Sequence, residues 1–257
     1  LFQRFHGRCR LSYAVMPRFA LSASESMLES CAALLRSHPE ARFTTHINET
    51  TAEVAEICRL FPWAHDYLAV YESYELVSRR SVLAHNIYTT DAEIRRLSRH
   101  HASIAHCPSS NAALGSGIFP MSRHIAGEVR CSLGTDVGGG TGFSMMKEAL
   151  AAYQMQRLAP EPMILGPHTM LYLATRAGAE ALALEHETGD FSSGKSADFV
   201  VLDPGARGVL RSRLACAENP EQILAALFTL AGPECIREVS VEGQIVFDRN
   251  SQDRSLN

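Results

Sequence analysis

Short apolar or β-branched runs alternate along the chain with longer stretches whose apolar residues recur at the helical period, and this alternation sets the order of the predicted elements. Residues 11–19 read as a strand stopped by Pro17. Ser24 then caps a helix to about residue 38, with Glu25 in its first turn and Met27, Leu28, Ala32, Leu34 and Leu35 on one period. A strand through Arg42-Phe43-Thr44-Thr45 leads to a helix over residues 51–60, and a strand through Ser81-Val82-Leu83-Ala84 leads to a helix opened by Thr90 and Asp91, with Glu93 behind them. Residues 102–106 and 129–133 are further short strands, and a helix covers residues 143–158. Strand and helix thus alternate five times, the pattern of βα units on a parallel sheet. Five units do not close an eight-stranded barrel, so the expected fold class is α/β, a partial (β/α)8 barrel made of about strands four to eight.

After a helix predicted at residues 169–182 the texture changes. Gly189 to Pro204 is rich in turn residues and runs into a strand, and residues 238–248 form another strand with a turn at Gly243. The expected division is a barrel portion at 1–188 and part of a small β-sandwich domain, with a flanking helix, at 189–257. The opening Leu1-Phe-Gln-Arg-Phe-His-Gly7 reads as the tail of a helix rather than a start, so a preceding segment is expected.

A formal charge of −4 provides no basic field for gripping phosphate backbones, which sets nucleic acid aside as a partner. No apolar run has the length of a membrane span and none resembles a signal peptide, so no membrane partner and a cytoplasmic setting are expected. The seven cysteines form no C-x-x-C and are read as reduced, mostly buried thiols. A homodimer is the usual expectation for an enzyme of this size.

The candidate chemistry lies at strand ends. Thr45-His-Ile-Asn-Glu49, Ala84-His-Asn86 and Gly134-Thr-Asp136 each follow a predicted strand, and in a parallel barrel residues at that end converge from distant parts of the sequence. His46, His85 and Asp136 offer two imidazoles and a carboxylate, a set that suits zinc, whose catalytic sites take three protein ligands plus water. Glu49 sits where the chain turns out of the strand, the placement a proton shuttle needs. Other candidates have plainer readings. His106 and Cys107 are adjacent, so their side chains should point to opposite faces and pack structurally. Ser109, Ser110 and Asn111 are expected to shape the pocket rim. Gly138-Gly-Gly140 lacks the Lys-Ser/Thr of a P-loop and reads as a tight turn. His100 and His101 end a helix and are expected to be solvated. The H-x-E with P-C-x-x-C signature of one class of zinc site has no match.

Met16-Pro-Arg-Phe19, Thr45-His-Ile-Asn-Glu49, Leu83-Ala-His85, Ser103-Ile-Ala-His-Cys-Pro-Ser-Ser-Asn111, Leu133-Gly-Thr-Asp-Val-Gly-Gly139 and Gly194-Lys-Ser-Ala-Asp198 together resemble the zinc-dependent amidohydrolase superfamily, and within it the guanine deaminases. The resemblance runs in family order over almost the whole chain. It implies that His46 and Asp136 ligate zinc, with His85 ligating it or bonding its water. Glu49 would protonate the purine ring and relay a proton to the leaving amine, and Asp136 would accept one from the attacking water. Arg18 and Phe19 would hold guanine by its carbonyl edge and its face, His46 contacting it too, and the products would be xanthine and ammonia. The guanidinium is expected to be buried, where an adenine would leave its charge unsatisfied.

Met16 stands where the family often has Thr, and Asn48 where it usually has Ser; neither is expected to touch the chemistry. The family's opening His-x-His has no counterpart, so the free-standing chain is expected to bind zinc weakly and turn over little. Aminohydrolases acting on 8-oxoguanine, another purine or a triazine remain alternatives, as does a non-catalytic binding or structural product.

Overall fold

A computed structural model describes residues 1–205 and 208–252. After a short helix α1 (Phe2–Phe5), the chain lays down β1 (Ala14–Val15), α2 (Glu25–Ser37), β2 (Arg42–Ile47), α3 (Thr51–Leu60), α4 (Tyr67–Ser73), β3 (Ser81–His85) and α5 (Asp91–Arg99). Then come β4 (Ser103–His106), α6 (Pro108–Ala113), α7 (Met121–Ala126), β5 (Arg130–Leu133), α8 (Met145–Leu158), α9 (Pro167–Ala174) and α10 (Arg176–Ala181). The remainder is β6 (Phe199–Leu202), α11 (Val209–Ala215), α12 (Pro220–Leu230), β7 (Ile236–Val241), β8 (Gln244–Asp248) and α13 (Arg249–Gln252).

Strands β1 to β5 form one sheet in sequential order, every pair parallel. Sequential parallel order requires a crossover between neighbours, and the helices supply it. Phe43, Thr45 and Ile47 of β2 are buried while Arg42, Thr44 and His46 are half-buried, so one face of the strand packs on helices and the other turns to the site. Phe43, Ile47, Leu83, Ile104, Leu28, Ile57 and Leu97 are almost wholly enclosed in the shared core. Capping boxes at Thr50/Glu53 and Thr90/Glu93 start α3 and α5, each satisfying two amide donors that a helix start leaves free. The second sheet is antiparallel, β6-β7-β8, and its β7–β8 hairpin turns through Glu242 and Gly243, both at positive φ, as a two-residue loop requires.

Several predicted boundaries shift. The strand expected at 11–19 shrinks to Ala14–Val15, because Pro17 has no amide hydrogen to donate and Arg18 takes φ +73. The helix expected at 169–182 is two helices, broken at Thr175 (φ −133, ψ −89). The strand expected at 238–248 is a hairpin. Helix α4 was not foreseen: Tyr67 through Tyr71 are all buried, so it carries no polar face to reveal a period. The cysteines are free, but Cys9, Cys58 and Cys216 are exposed, so the expectation of mostly buried thiols holds only for Cys31, Cys107 and Cys235 and in part for Cys131. His101 is exposed, whereas His100 is tied to Glu72 at 3.0 Å. The small β region expected at 189–257 includes residues 206–207 and 253–257, which lie outside the described residues. Among the described residues no helix is long and apolar enough to cross a membrane.

His106 and His124 sandwich Phe119, with ring centroids 4.6 and 4.4 Å apart. Burial, reinforced by His124 and His85, drives the His106 imidazole down to about 3, and burial drives His124 down to about 4 against the pull of the Pro120 carbonyl. Both start from an ordinary value of 6.5, so between pH 6.5 and about 4 the unfolded chain takes up two protons that the folded chain refuses. The stability they contribute is complete above pH 6.5 and is lost as pH falls, at about 1.4 kcal/mol per pH unit for each histidine. Urea unfolding at pH 7 and pH 5 should show that loss, and His106→Phe should remove about half of its slope; an unchanged slope would refute this origin.

Candidate active site

His46, the penultimate residue of β2, donates from Nδ1 to the backbone carbonyl of Arg18 at 2.7 Å. The same carbonyl accepts the His46 amide at 2.9 Å and the Thr45 hydroxyl at 2.9 Å. Three donors on one oxygen lock the Pro17-Arg18-Phe19 turn to the end of β2. Tyr71 adds a second clamp: its oxygen accepts the Ala20 amide at 2.9 Å, lies 3.0 Å from the Thr45 hydroxyl and donates to the His46 carbonyl at 2.9 Å. Burial pushes this phenol up to about 12, so it stays a donor at ordinary pH.

His85 ends β3 with its side chain fully buried, and its Nδ1 lies 2.8 Å from Asn111 Oδ1. An amide oxygen only accepts, so the proton is on Nδ1 and the Nε2 lone pair is free. The Arg18 carbonyl imposes the same tautomer on His46. Both Nε2 atoms face Asp136, that of His46 4.0 Å from Oδ1 and that of His85 3.8 Å from Oδ2. The two imidazoles stack with centroids 5.2 Å apart. Glu49 enters the same space, its Oε2 3.8 Å from His85 Nε2, while the Ser116 hydroxyl holds its Oε1 at 2.8 Å. Ser110 donates to Asp136 Oδ2 at 2.6 Å.

Register alone would not bring these groups together. His46 pairs with Ala84 and His85 with Ile47, so strict alternation would send the two imidazoles to opposite faces. His85 instead takes φ +71, which breaks the pleat at the last residue of the strand. Asp136 also has positive φ, +45, at the head of a glycine turn in which the amides of Gly139 and Gly140 bond its carbonyl at 3.0 and 2.5 Å. A Cβ on Gly140 would lie 1.9 Å from the Thr135 carbonyl oxygen, so the turn closes only with glycine there. The Gly138-Gly-Gly140 run is thus spent on aiming Asp136.

His46, His85 and Asp136 form a group whose donor atoms all lie within 4.8 Å of one another. Among the described residues His85 Nε2 has no hydrogen-bond partner although it is buried. A buried lone pair without a partner is costly, and a cation held by the three groups would satisfy it. The donor set, two imidazole nitrogens and one carboxylate oxygen, fits zinc.

Arg18 is exposed rather than buried, with its guanidinium carbon 5.1 Å from the Phe19 ring centroid, and it forms no ion pair among the described residues. Its αL backbone, φ +73, turns the side chain outward over the ring. Phe19 in turn lies 5.8 Å from the His46 ring. Ser110 and Asn111, read from sequence as rim, instead bond the side chains of Asp136 and His85. Ser116 and Tyr71 were not singled out at all; no local motif marks them, because their partners lie 67 and 25 residues away. Cys107 is no nucleophile: burial, with Asp136, Glu148 and Glu49 nearby, pushes its thiol up to about 12. His106 packs away on Phe119.

The model of the amidohydrolase family matches residues 2–246. A probable guanine deaminase of Deinococcus radiodurans is 51% identical over 98% of this chain and 58% of its own length. The guanine deaminase of Escherichia coli is 35% identical over 97% of this chain and 56% of its own. The E. coli guanine deaminase structure superposes with a TM-score of 0.93 over 97% of this chain and 58% of that one. A guanine deaminase from C. acetobutylicum with guanine bound in its active site has a TM-score of 0.80 at 25% identity, covering 90% of this chain and 54% of that one. The chain therefore spans somewhat more than half the length of each of these proteins.

Tyr71→Phe leaves the Ala20 amide and the His46 carbonyl short of a partner, and should cost about 1–3 kcal/mol in a urea melt. Thiol titration of the folded protein at pH 8 should modify Cys9, Cys58 and Cys216 and spare Cys107; rapid labelling of Cys107 would contradict the burial argument.

Proposed function

This chain belongs to the amidohydrolase family, and we propose that its site hydrolyses guanine to xanthine and ammonia in a zinc-dependent reaction. The observation that carries the reading is the unpartnered, buried His85 Nε2 facing Asp136 and Glu49. The similarity to guanine deaminases over nearly the whole chain supports guanine as the substrate. His46, His85 and Asp136 would hold the zinc, which when bound supplies Lewis acidity and lowers the pKa of a water toward neutrality.

The chain's own residues divide the remaining work. Asp136 takes a proton from the attacking water, its Oδ2 steadied by Ser110 while Oδ1 faces His46. Glu49 protonates the purine ring and passes a proton to the departing amine; the Ser116 hydroxyl occupies Oε1 and leaves Oε2 for that task. Phe19 offers a face for the base beside His46. The Arg18 guanidinium, over the Phe19 ring and without an ion pair among the described residues, would meet the guanine carbonyl, a contact adenine cannot return. We assign the five-stranded sheet to strands four to eight of a (β/α)8 barrel within residues 1–188, and the β6–β8 sheet to part of a small β domain within 189–257. Sequential parallel order in the first sheet and antiparallel order in the second support that division.

The native gene product loaded with zinc should convert guanine to xanthine with release of ammonia. Glu49→Gln should lower kcat by roughly 10²–10⁴ while zinc stays bound. Arg18→Ala should raise KM for guanine with a smaller change in kcat. Asp136→Asn should lose zinc retention, measured by metal content after dialysis. Absence of guanine turnover by the zinc-loaded protein would overturn the assignment.

A further inference from the structure

Between the ends of β2 and β3 and helices α4, α5 and α7 runs a chain of buried polar groups that the proposed chemistry does not use. Asn48, Asn86, Glu93 and His124 are 1%, 0%, 2% and 0% exposed. Asn48 Nδ2 carries two protons and gives one to Asn86 Oδ1 at 2.9 Å and the other to Glu93 Oε1 at 3.1 Å. Asn86 Nδ2 lies 2.8 Å from His124 Nε2, and His124 Nδ1 lies 2.9 Å from the Pro120 carbonyl. The carbonyl only accepts, so His124 carries its proton on Nδ1 and receives Asn86 at Nε2. Every link therefore has one direction. Glu93 anchors the other end, accepting the Leu68 amide at 3.3 Å, the Thr90 amide at 2.8 Å and the Thr90 hydroxyl at 3.1 Å.

The placement of the two asparagines gives the network its consequence. Asn48 directly precedes Glu49, and Asn86 directly follows His85. Both asparagines hold left-handed backbone, φ +52 and +50, where the strands end. Their turns are also stitched together: the Asn86 amide bonds the Ile47 carbonyl at 2.8 Å, and the Ile87 and Tyr88 amides bond the Asn48 carbonyl at 2.9 and 3.0 Å. In a site closed to water the direction of this chain is set: turning over either asparagine amide would bring oxygen against oxygen at Glu93, or oxygen against the lone pair of His124 Nε2.

We propose that Asn48, Asn86 and His124 are positioning residues that hold the two left-handed turns carrying Glu49 and His85, and so keep both side chains aimed at one point. The inference rests on the proposed reading of that site as a metal-dependent hydrolase.

His124→Phe keeps the stack on Phe119 and deletes the acceptor, His124→Gln restores an acceptor, and Asn86→Gly removes the side chain while retaining left-handed freedom. In the metal-free native gene product with ¹⁵N-labelled histidine, unsubstituted His85 should show two well-separated nitrogen shifts, the mark of one tautomer. In His124→Phe and Asn86→Gly these should draw together, and in His124→Gln stay apart. With zinc bound, the first two variants should lose about tenfold or more in kcat for guanine, with KM within about twofold. The double variant should be no worse than the worse single, since both cut one chain. Unchanged His85 shifts in His124→Phe and Asn86→Gly, a kcat loss that His124→Gln fails to recover, or losses that multiply in the double variant would each overturn the proposal. Failure of the unsubstituted protein to retain zinc or convert guanine would instead remove the proposed function, and the metal-free shifts would still decide the positioning role.

Discussion

Left-handed backbone at the carboxyl ends of the parallel strands is the constraint on which the site depends. Arg18, Asn48, His85, Asn86 and Asp136 all have φ between +45 and +73. A regular strand would point His46 and His85 to opposite faces, and a ladder continued past Ile47 would carry Glu49 away from both. Breaking the pleat at each strand end lets side chains from three strands meet. Each such residue costs about 1–2 kcal/mol relative to ordinary backbone, less for Asn and Asp, whose short polar side chains tolerate the conformation. The surrounding hydrogen bonds offset that cost: three donors on the Arg18 carbonyl, two glycine amides on the Asp136 carbonyl and two amides on the Asn48 carbonyl.

The same economy governs the protons. One acceptor behind each imidazole, the Arg18 carbonyl for His46 and Asn111 for His85, fixes the tautomer and frees Nε2. One hydroxyl on each carboxylate, Ser110 on Asp136 and Ser116 on Glu49, fixes its rotation and leaves the other oxygen for chemistry. These four supports come from the turn after β1 and from α6 with the loop that follows it, while the groups they hold end three different strands, so the geometry of the site is a property of the packed sheet and not of any single loop. His106 and Cys107 show the converse: adjacent to the site in sequence, they are driven out of service by burial, the imidazole held neutral and the thiol held protonated.

Legibility followed the range of the interaction that shapes each element. The starts of helices α2, α3 and α5 were readable nearly to the residue, because the caps that set them, Ser24, Thr50/Glu53 and Thr90/Glu93, act within three positions. The ends of β2, β3 and β5 were readable to within about two residues, because their short apolar or β-branched runs stop at polar or turn residues. Helix α4 was not, since burial on every side erases its period, and the break at Thr175 carries no proline or glycine to announce it. Among the site residues, His46, Glu49, His85 and Asp136 stood out by their position after strands. Ser110 and Asn111 were noticed but misplaced on the rim, and the exposure of Arg18 ran against the expectation of burial, because a side chain's direction after a positive φ is not written in a one-dimensional pattern.

The sequence by itself determined the alternation of strands and helices, the order of the parallel sheet and the identity of the groups offered at its ends, since periodicity and capping are local. Tertiary structure alone decided that those groups converge, which nitrogen of each imidazole is free, and which neighbours are silenced by burial. Those outcomes depend on hydrogen bonds between residues tens of positions apart, and such bonds exist only once the strands lie side by side.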